Sequence, residues 1–547
     1  MGYAHDYAAA IMRRGRVPMP PADHVPNWAD APRKTKYYPG VDSLPLPDCA
    51  YPADASLDRG LAGHPGGGAG FDLALLSGML RDSYGLTGRR LGVQANTDLS
   101  ALPSYPLANW SRGTASGGGL YPVSVYWVSG ASGPVPPGVH YYATRHHAMQ
   151  RLLTGEVTGE VREALGEGAP GPAPTDQYLV LGVKYWQNAF KYNSFSFHAV
   201  SMDIGTVLQT WRMWARARGL EIEPALWFDE ERLARLLGVR SDEEGVFAVV
   251  PLRWAGASKA GAPAARASVR RTDVERSRTV LTFEAVTGMQ AATSRGAADR
   301  PTAGALAPAA VAPPHTDRPE VPLPVPRSLE ADVRTALRRR RSSFGRFDAQ
   351  RPIGADQLAA CLAAATAASR LGGDTGGAGG SGGTGGGTGA MGDAGGAGDA
   401  WPARLYVFVN HVEGLATGSY AYDPDAGALR LIKEGRPGAF LQKNYFLANY
   451  NLEQAGAVLV PAMRTSAVLD AVGDRGYRLV GATIGAVSQA VYTASAAMEL
   501  GCGVALGFDN ISYIEELGLD GTGEAPLLIM LVGHERPGPA DFRHEIA

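Results

Sequence analysis

The sequence is poor in cysteine, in net charge and in long apolar runs, and each shortage removes a class of protein. Its 547 residues include three cysteines, Cys49, Cys361 and Cys502, far apart and in no C-x-x-C pair or metal-ligand spacing. No disulfide framework or metal site is expected, and a reducing cytoplasm fits best. Residues 1–21 lack a long apolar stretch, and no uncharged apolar run elsewhere reaches the length of about 18 residues that a membrane helix needs. The chain is therefore expected to be soluble and cytoplasmic, without membrane contact. Lys plus Arg number 51 and Asp plus Glu 53, a formal charge of −2. That balance argues against a nucleic-acid partner.

What is present is length, an apolar core and glycine. At roughly 150 residues per domain, the chain predicts two to four domains. Apolar residues make up 45%, enough for a sizeable core. Many of the 71 glycines fall in residues 372–398, nearly all Gly, Ala, Thr, Ser and Asp. Such a stretch cannot bury enough apolar surface to offset its ordering entropy, so a flexible insertion is expected there. Residues 297–326, rich in Pro and Ala, read as a semi-rigid linker.

The sequence repeats itself at a displacement of 280. Tyr121-Pro122-x-x-x-Tyr126 recurs as Trp401-Pro402-x-x-x-Tyr406, and Gly138 and Tyr142 recur as Gly418 and Tyr422. Gly205-x-x-x-Gln209 recurs as Gly485-x-x-x-Gln489, and FDEERLARLLG at 228–238 recurs as FDNISYIEELG at 508–518. The chain is a tandem duplication, with copies at 1–296 and 327–547 joined by the linker. Each copy reads as α+β. VYWV and LYVFVN suit strands, as do VFAVVPL and LLIMLVG. Val480, Ile484, Val487, Val491, Ala494 and Met498 line one face of a helix, and Val200, Ile204, Val207, Leu208 and Trp211 do the same in the first copy. Gly219 and Gly501 are placed to end these helices.

Three motifs could carry chemistry. SRGTASGGGLYP at 111–122 sets Arg112, Ser116, Gly117 and Gly118 before a strand. Glycines let backbone N–H groups approach a phosphate, though the same run also suits an ordinary turn. It lacks the Gly-Lys-Ser/Thr of a Walker loop and the strand-to-helix setting of a dinucleotide fingerprint. RRRRSSFGRF at 338–347 offers guanidinium forks and hydroxyls for a phosphate, or is a solvated basic helix end. KYWQNAFKYNSFSFH at 184–198 holds two Lys-Tyr pairs among aromatics. A partly buried lysine there would be a usable base, or the lysines snorkel over an aromatic patch. Shifting by 280 sets Ala471-Val472 opposite Lys191-Tyr192, and 396–398 opposite the Ser-Gly run. The arginines fall opposite DRGLAGHPG at 58–66, which has no such cluster. Each copy holds what the other lacks, as one composite site between them requires.

These motifs resemble the nitroreductase superfamily and, within it, the SagB-type azoline dehydrogenases. The resemblance runs from about Lys36 to Gly533, outside the linker and insertion, and is carried by SGGxLYP, GVHYYATRHHAMQRL, the Lys191–Gln209 spacing with Asp203 between, and DRGYRL at 474–479. It implies two tandem nitroreductase-like domains forming an intramolecular pseudo-dimer, complete in itself or dimerising further, with FMN between them. It implies phosphate contacts from Arg341, Ser342, Ser343 and Arg346, a Ser-Gly loop role for Ser116, Gly117 and Gly118, to which Arg112 of the same motif can add charge, and a catalytic pair in Lys191 and Tyr192. Lys184-Tyr185 is out of register. Two departures stand out: RRSSFGRF shifts the last arginine, and Thr206 follows the helix glycine where the family often has His. The activity implied is oxidation of a thiazoline or oxazoline in a ribosomally made peptide to the azole, alongside cyclodehydratase partner proteins. The rivals are a nitroreductase-like flavin enzyme acting on another substrate and a non-catalytic scaffold of a peptide-modifying complex.

Overall fold

The computed structural model describes residues 2–546 except 53, 63–67, 95–103, 173, 257–266, 313–316, 376–401 and 538–540. Each copy is built on an antiparallel sheet. In the first, the strands run from edge to edge as Ser43–Pro45, Ala148–Thr154, Gly138–Ala143, Val123–Ser129, Gln177–Lys184 and Glu244–Pro251. In the second they run Gly501–Ala505, Ile529–Gly533, Ala457–Met463, Arg404–Val409, Gly418–Asp423, Ala428–Glu434 and Glu320–Pro322. The central strands are buried on both faces, which explains their near-continuous apolar runs.

The displacement seen in the sequence holds in space. The hairpin Gly138–Ala143 with Ala148–Thr154 recurs as Gly418–Asp423 with Ala428–Glu434. A register shift lies between Val139 and His140 in one and between Ser419 and Tyr420 in the other. Helix Glu230–Leu237 recurs as Asn510–Leu517, and each ends on a left-handed glycine, Gly238 or Gly518, both at φ 66°.

The copies meet along two long helices, Ser196–Arg216 and Gly476–Ala497, buried over nearly their whole length. A Cβ on Gly205 would lie 1.9 Å from the Ala482 carbonyl oxygen, and one on Gly485 would lie 2.0 Å from that of Met202. Positions 202 and 205 match 482 and 485 across the duplication, so the two contacts are one contact seen twice. The chain is thus a pseudo-dimer within itself. The ends of the chain tighten it. Asp541–Glu545 pairs with Gly88–Gln94 of the first copy. Helix Tyr3–Arg13 bonds both copies, through Tyr7 Oη to the Ser194 carbonyl (2.8 Å) and through Asp474 to the Ala4 N–H (3.3 Å).

Three expectations change. The second long helix does not close on Gly501. Its left-handed residue is Glu499, φ 59°, at the position that Gly219 takes in the first copy. The Leu500 N–H then bonds the Ser495 carbonyl, as Leu220 bonds Ala215. Gly501 instead opens a strand, where a Cβ would strike Glu535 and Ser343. Most of the Gly-rich stretch lies outside the described residues, but its first residues are packed rather than loose. The Asp374 carboxylate is fully buried, accepts the Trp227 N–H at 3.0 Å and pairs with Arg300. In the segment read as a linker, Glu320–Pro322 forms an edge strand of the second sheet, and Pro308 and Ala310 accept hydrogen bonds from Arg464.

Candidate active site

The Ser-Gly loop is shaped from below by Asp203, on the first long helix. Its carboxylate accepts the Ser116 hydroxyl at 2.6 Å and the Gly117 N–H at 2.8 Å. The Ser116 oxygen also accepts the Tyr121 N–H at 2.9 Å. Gly118, Gly119 and Tyr121 take positive φ, a conformation only glycine adopts without strain. Burial pushes the Asp203 carboxyl up to about 7, against the pull of these two hydrogen bonds. From the other copy, the Gln489 amide grips the loop entry: its oxygen accepts the Ala115 N–H at 3.0 Å and its nitrogen donates to the Gly113 carbonyl at 3.1 Å. Arg112 lies buried beneath, between the Tyr84 and Tyr121 rings at 4.6 and 4.2 Å, with Nη1 lacking a hydrogen-bond partner.

Lys191 and Tyr192 close helix Trp186–Tyr192 and stand over this loop. A Cβ on Gly118 would lie 2.5 Å from the Tyr192 hydroxyl and 2.9 Å from Lys191 Nζ. Glycine at 118 is therefore required twice, by its φ of 62° and by the Lys-Tyr pair above it. Burial lowers the Lys191 ammonium below its ordinary value. Burial, and then Asp203, push the Tyr192 phenol up to about 12, so it stays protonated at neutral pH. Lys184 and Tyr185 are elsewhere: Lys184 pairs with Asp273 at 2.6 Å, and Tyr185 bonds Gln290. His198 is buried and bonds Tyr477 Oη at 2.8 Å, and burial lowers it to about 3.

The arginine-rich segment reaches the same place from the second copy. Ser342 Oγ shares a 2.8 Å hydrogen bond with Tyr492 Oη. Tyr492 lies three residues after Gln489 on one helix, about 4.5 Å further along the axis, so a single helix face holds both the Ser-Gly loop and Ser342. Phenols span the gap. Tyr445, whose phenol burial first and Tyr192 second push up, is 6.1 Å ring to ring from Tyr450, which Ser342 and Tyr492 adjoin. Ser343 Oγ is buried without a hydrogen-bond partner, as are Nε and Nη2 of Arg338. Arg341 pairs with Glu535, and Arg346 donates to the Arg536 carbonyl at 3.1 Å, on the side of the segment facing residues 535–536.

The structure thus gathers Ser116, Gly117, Gly118, Lys191 and Tyr192 tightly, joins Ser342 to them through the second long helix, and seats Arg112 under the loop. Four contributors had not been singled out. Arg340 crosses between the copies, donating to the Gly113 and Arg112 carbonyls at 2.7 and 2.9 Å. Gln489 was legible only as a repeat of Gln209, and Asp203 only as a spacing. Tyr492 had no signal, since its counterpart is Arg212.

The C-terminal residues 337–534 match the model of the Nitroreductase family. No curated protein matches in sequence. Among solved structures, a candidate nitroreductase of Anabaena variabilis ATCC 29413 aligns with a TM-score of 0.71 and 21% identity, over 98% of this chain and 100% of its own. A candidate nitroreductase of Ralstonia eutropha JMP134 aligns at 18% identity and TM-score 0.27, over 42% of this chain and 95% of its own. The E. coli microcin synthetase McbBCD complex with truncated pro-MccB17 bound aligns at 15% identity and TM-score 0.28, over 41% of this chain and 79% of its own. The chain therefore has the nitroreductase fold in two tandem copies, and its residues 337–534 are the part that matches the Nitroreductase family model.

Proposed function

We propose that this protein is an FMN-dependent dehydrogenase that oxidises thiazoline or oxazoline rings of a ribosomally made peptide to azoles. One observation carries the reading: Lys191 Nζ and the Tyr192 hydroxyl converge on Gly118, in a loop that both copies hold. The donors present fit a flavin phosphate. Ser343 Oγ and Arg338 Nε and Nη2 are buried without hydrogen-bond partners, in the segment that carries Ser342, Arg341 and Arg346. The Ser116 hydroxyl is committed to Asp203, so the loop would serve the cofactor through its glycine backbone.

FMN, when bound, supplies the hydride acceptor for this chemistry. Lys191 in its neutral form takes the acidic ring Cα proton, and its lowered pKa makes that form accessible. Tyr192, protonated, donates a hydrogen bond to the substrate heteroatom and orients the ring. Asp203 holds the loop in register with the pair and does not touch substrate. Loss of one proton and one hydride leaves the product two mass units lighter, with dioxygen as the final electron acceptor. Trp28, exposed and 5.9 Å from Lys191, and Phe344, exposed over Tyr450 at 5.0 Å, offer aromatic surface to flanking peptide.

The test is incubation of the purified flavoprotein with an azoline peptide, without added NAD(P)H, followed by mass measurement. A loss of two mass units supports the reading. Turnover of nitroaromatic or quinone substrates only with NAD(P)H, and none of the peptide, refutes it in favour of another flavin reductase.

A further inference from the structure

The duplication exposes a second site. In the first copy, Lys36 and Tyr38 are packed into the outer face of the sheet. Lys36 Nζ pairs with Glu244 and donates to Tyr126 Oη at 2.6 Å, while the Tyr38 ring meets the Tyr141 ring at 5.4 Å. In the second copy the same walls are present. Tyr406 and Glu524 repeat Tyr126 and Glu244, with the phenol donating to the carboxylate at 2.8 Å in both copies. The filling differs. Ala421 stands at the position of Tyr141, and the edge-strand register, Pro322 opposite Ala428 as Pro45 is opposite Ala148, sets Arg318 at the position of Val41. A cavity of about 310 Å³ results, at the lower end of the range for small-molecule sites.

Four guanidinium groups face this cavity: Arg318, Arg404, Arg430 and Arg464. Arg430 is held by Asp423 at 3.0 Å and by Glu320 at 2.6 Å, and Arg404 faces Glu524 at 3.4 Å. Arg318 and Arg464 have no carboxylate partner among the described residues; in the first copy, Lys184, at the position of Arg464, is neutralised by Asp273 and Glu275. Nε of Arg464 is buried without a hydrogen-bond partner, while its Nη1 donates to the Pro308 and Ala310 carbonyls. The site therefore offers positive charge beside the volume of the missing Tyr141 ring.

We propose that this cavity is a second ligand site, distinct from the Lys191–Tyr192 site, taking a small aromatic anion. A guanidinium fork matches either a carboxylate or a phosphate, and the space left by the Tyr141 ring takes the ring that bears it. The experiment is calorimetric titration of the full-length flavoprotein with benzoate, with phenyl phosphate and with inorganic phosphate. One of the two aromatic probes should bind saturably at one per chain, and which one it is tells carboxylate from phosphate. Arg318→Ala and Arg464→Ala should each weaken it roughly tenfold, and Ile432→Trp, which fills the cavity without altering charge, should abolish it. Flavin absorbance and turnover should be unchanged in all three. No saturable binding of either aromatic probe at millimolar concentration overturns the proposal. So does binding that survives all three substitutions, or inorganic phosphate binding as tightly as phenyl phosphate.

Discussion

Lys191, Tyr192 and Asp203 divide the labour of the site by burial. Lys191→Ala should lower turnover by about 10²- to 10⁴-fold, the usual worth of a positioned base, with flavin absorbance retained; full turnover would remove Lys191 from the chemistry. Asp203 gives a prediction with a definite sign. Its folded-state value of about 7 lies above the ordinary carboxylate range, so between about pH 4 and 7 the folded chain holds a proton that the unfolded chain has lost. That contribution to stability is complete below about pH 4 and fades as pH rises to 7. Asp203→Asn should therefore flatten the melting temperature across this window, and an unchanged slope would reassign the pH dependence. At this scale the sequence showed the Lys-Tyr pair and the Ser-Gly loop that the structure brings together, because unusual residue types carry them. It hid Gln489, Tyr492 and Arg340, because an amide, a phenol and one arginine among several acquire roles only from what they face.

Among the elements, the two long helices show how far pattern reading reaches. Their apolar stripes identify them as helices, but both prove buried all round, which a stripe on one face does not announce. The reason is the glycines. Gly205 and Gly485 bring backbone against backbone, so polar faces are covered as well as apolar ones. Gly485→Ala should cost at least the roughly 1–3 kcal/mol of an overpacked core, read by denaturant unfolding, because backbone cannot swing aside as a side chain would. Wild-type stability in this variant would mean that the helices separate freely. The Gly501 expectation failed on the same physics. A glycine shortly beyond a helix looks like its cap, yet Glu499 takes the strained φ and Gly501, four residues past Ala497, serves a close approach to Ser343.

The whole molecule is held by charge as well as packing. Arg475 and Arg478, from the DRGYRL motif, are buried in the first copy's territory and share Glu230, at 2.9 and 3.0 Å. Burial opposes the Glu230 charge, but the two guanidinium groups outweigh it and hold the carboxyl below its usual range. Glu230→Ala would strand both cations and should cost about 3–5 kcal/mol in unfolding free energy; a loss under about 1 kcal/mol would show that the network is solvated. The composite site predicts one FMN per chain by absorbance, since the position of Lys191-Tyr192 in the second copy holds Ala471-Val472 at the end of helix Thr465–Val472. Two FMN per chain would refute this asymmetry. The sequence by itself determined the duplication, its displacement, the strands, the long helices and the split of the Ser-Gly, Lys-Tyr and arginine motifs between copies, because periodicity and residue type are local or repeat-wise properties. Only the tertiary structure decided which residues meet: that Gln489 and Tyr492 bind the two half-sites on one helix face, that Asp203 claims Ser116, and that one copy fills a cavity the other leaves beside four arginines. Those contacts join residues 87 to 376 positions apart in the chain, and only the folded arrangement brings them together.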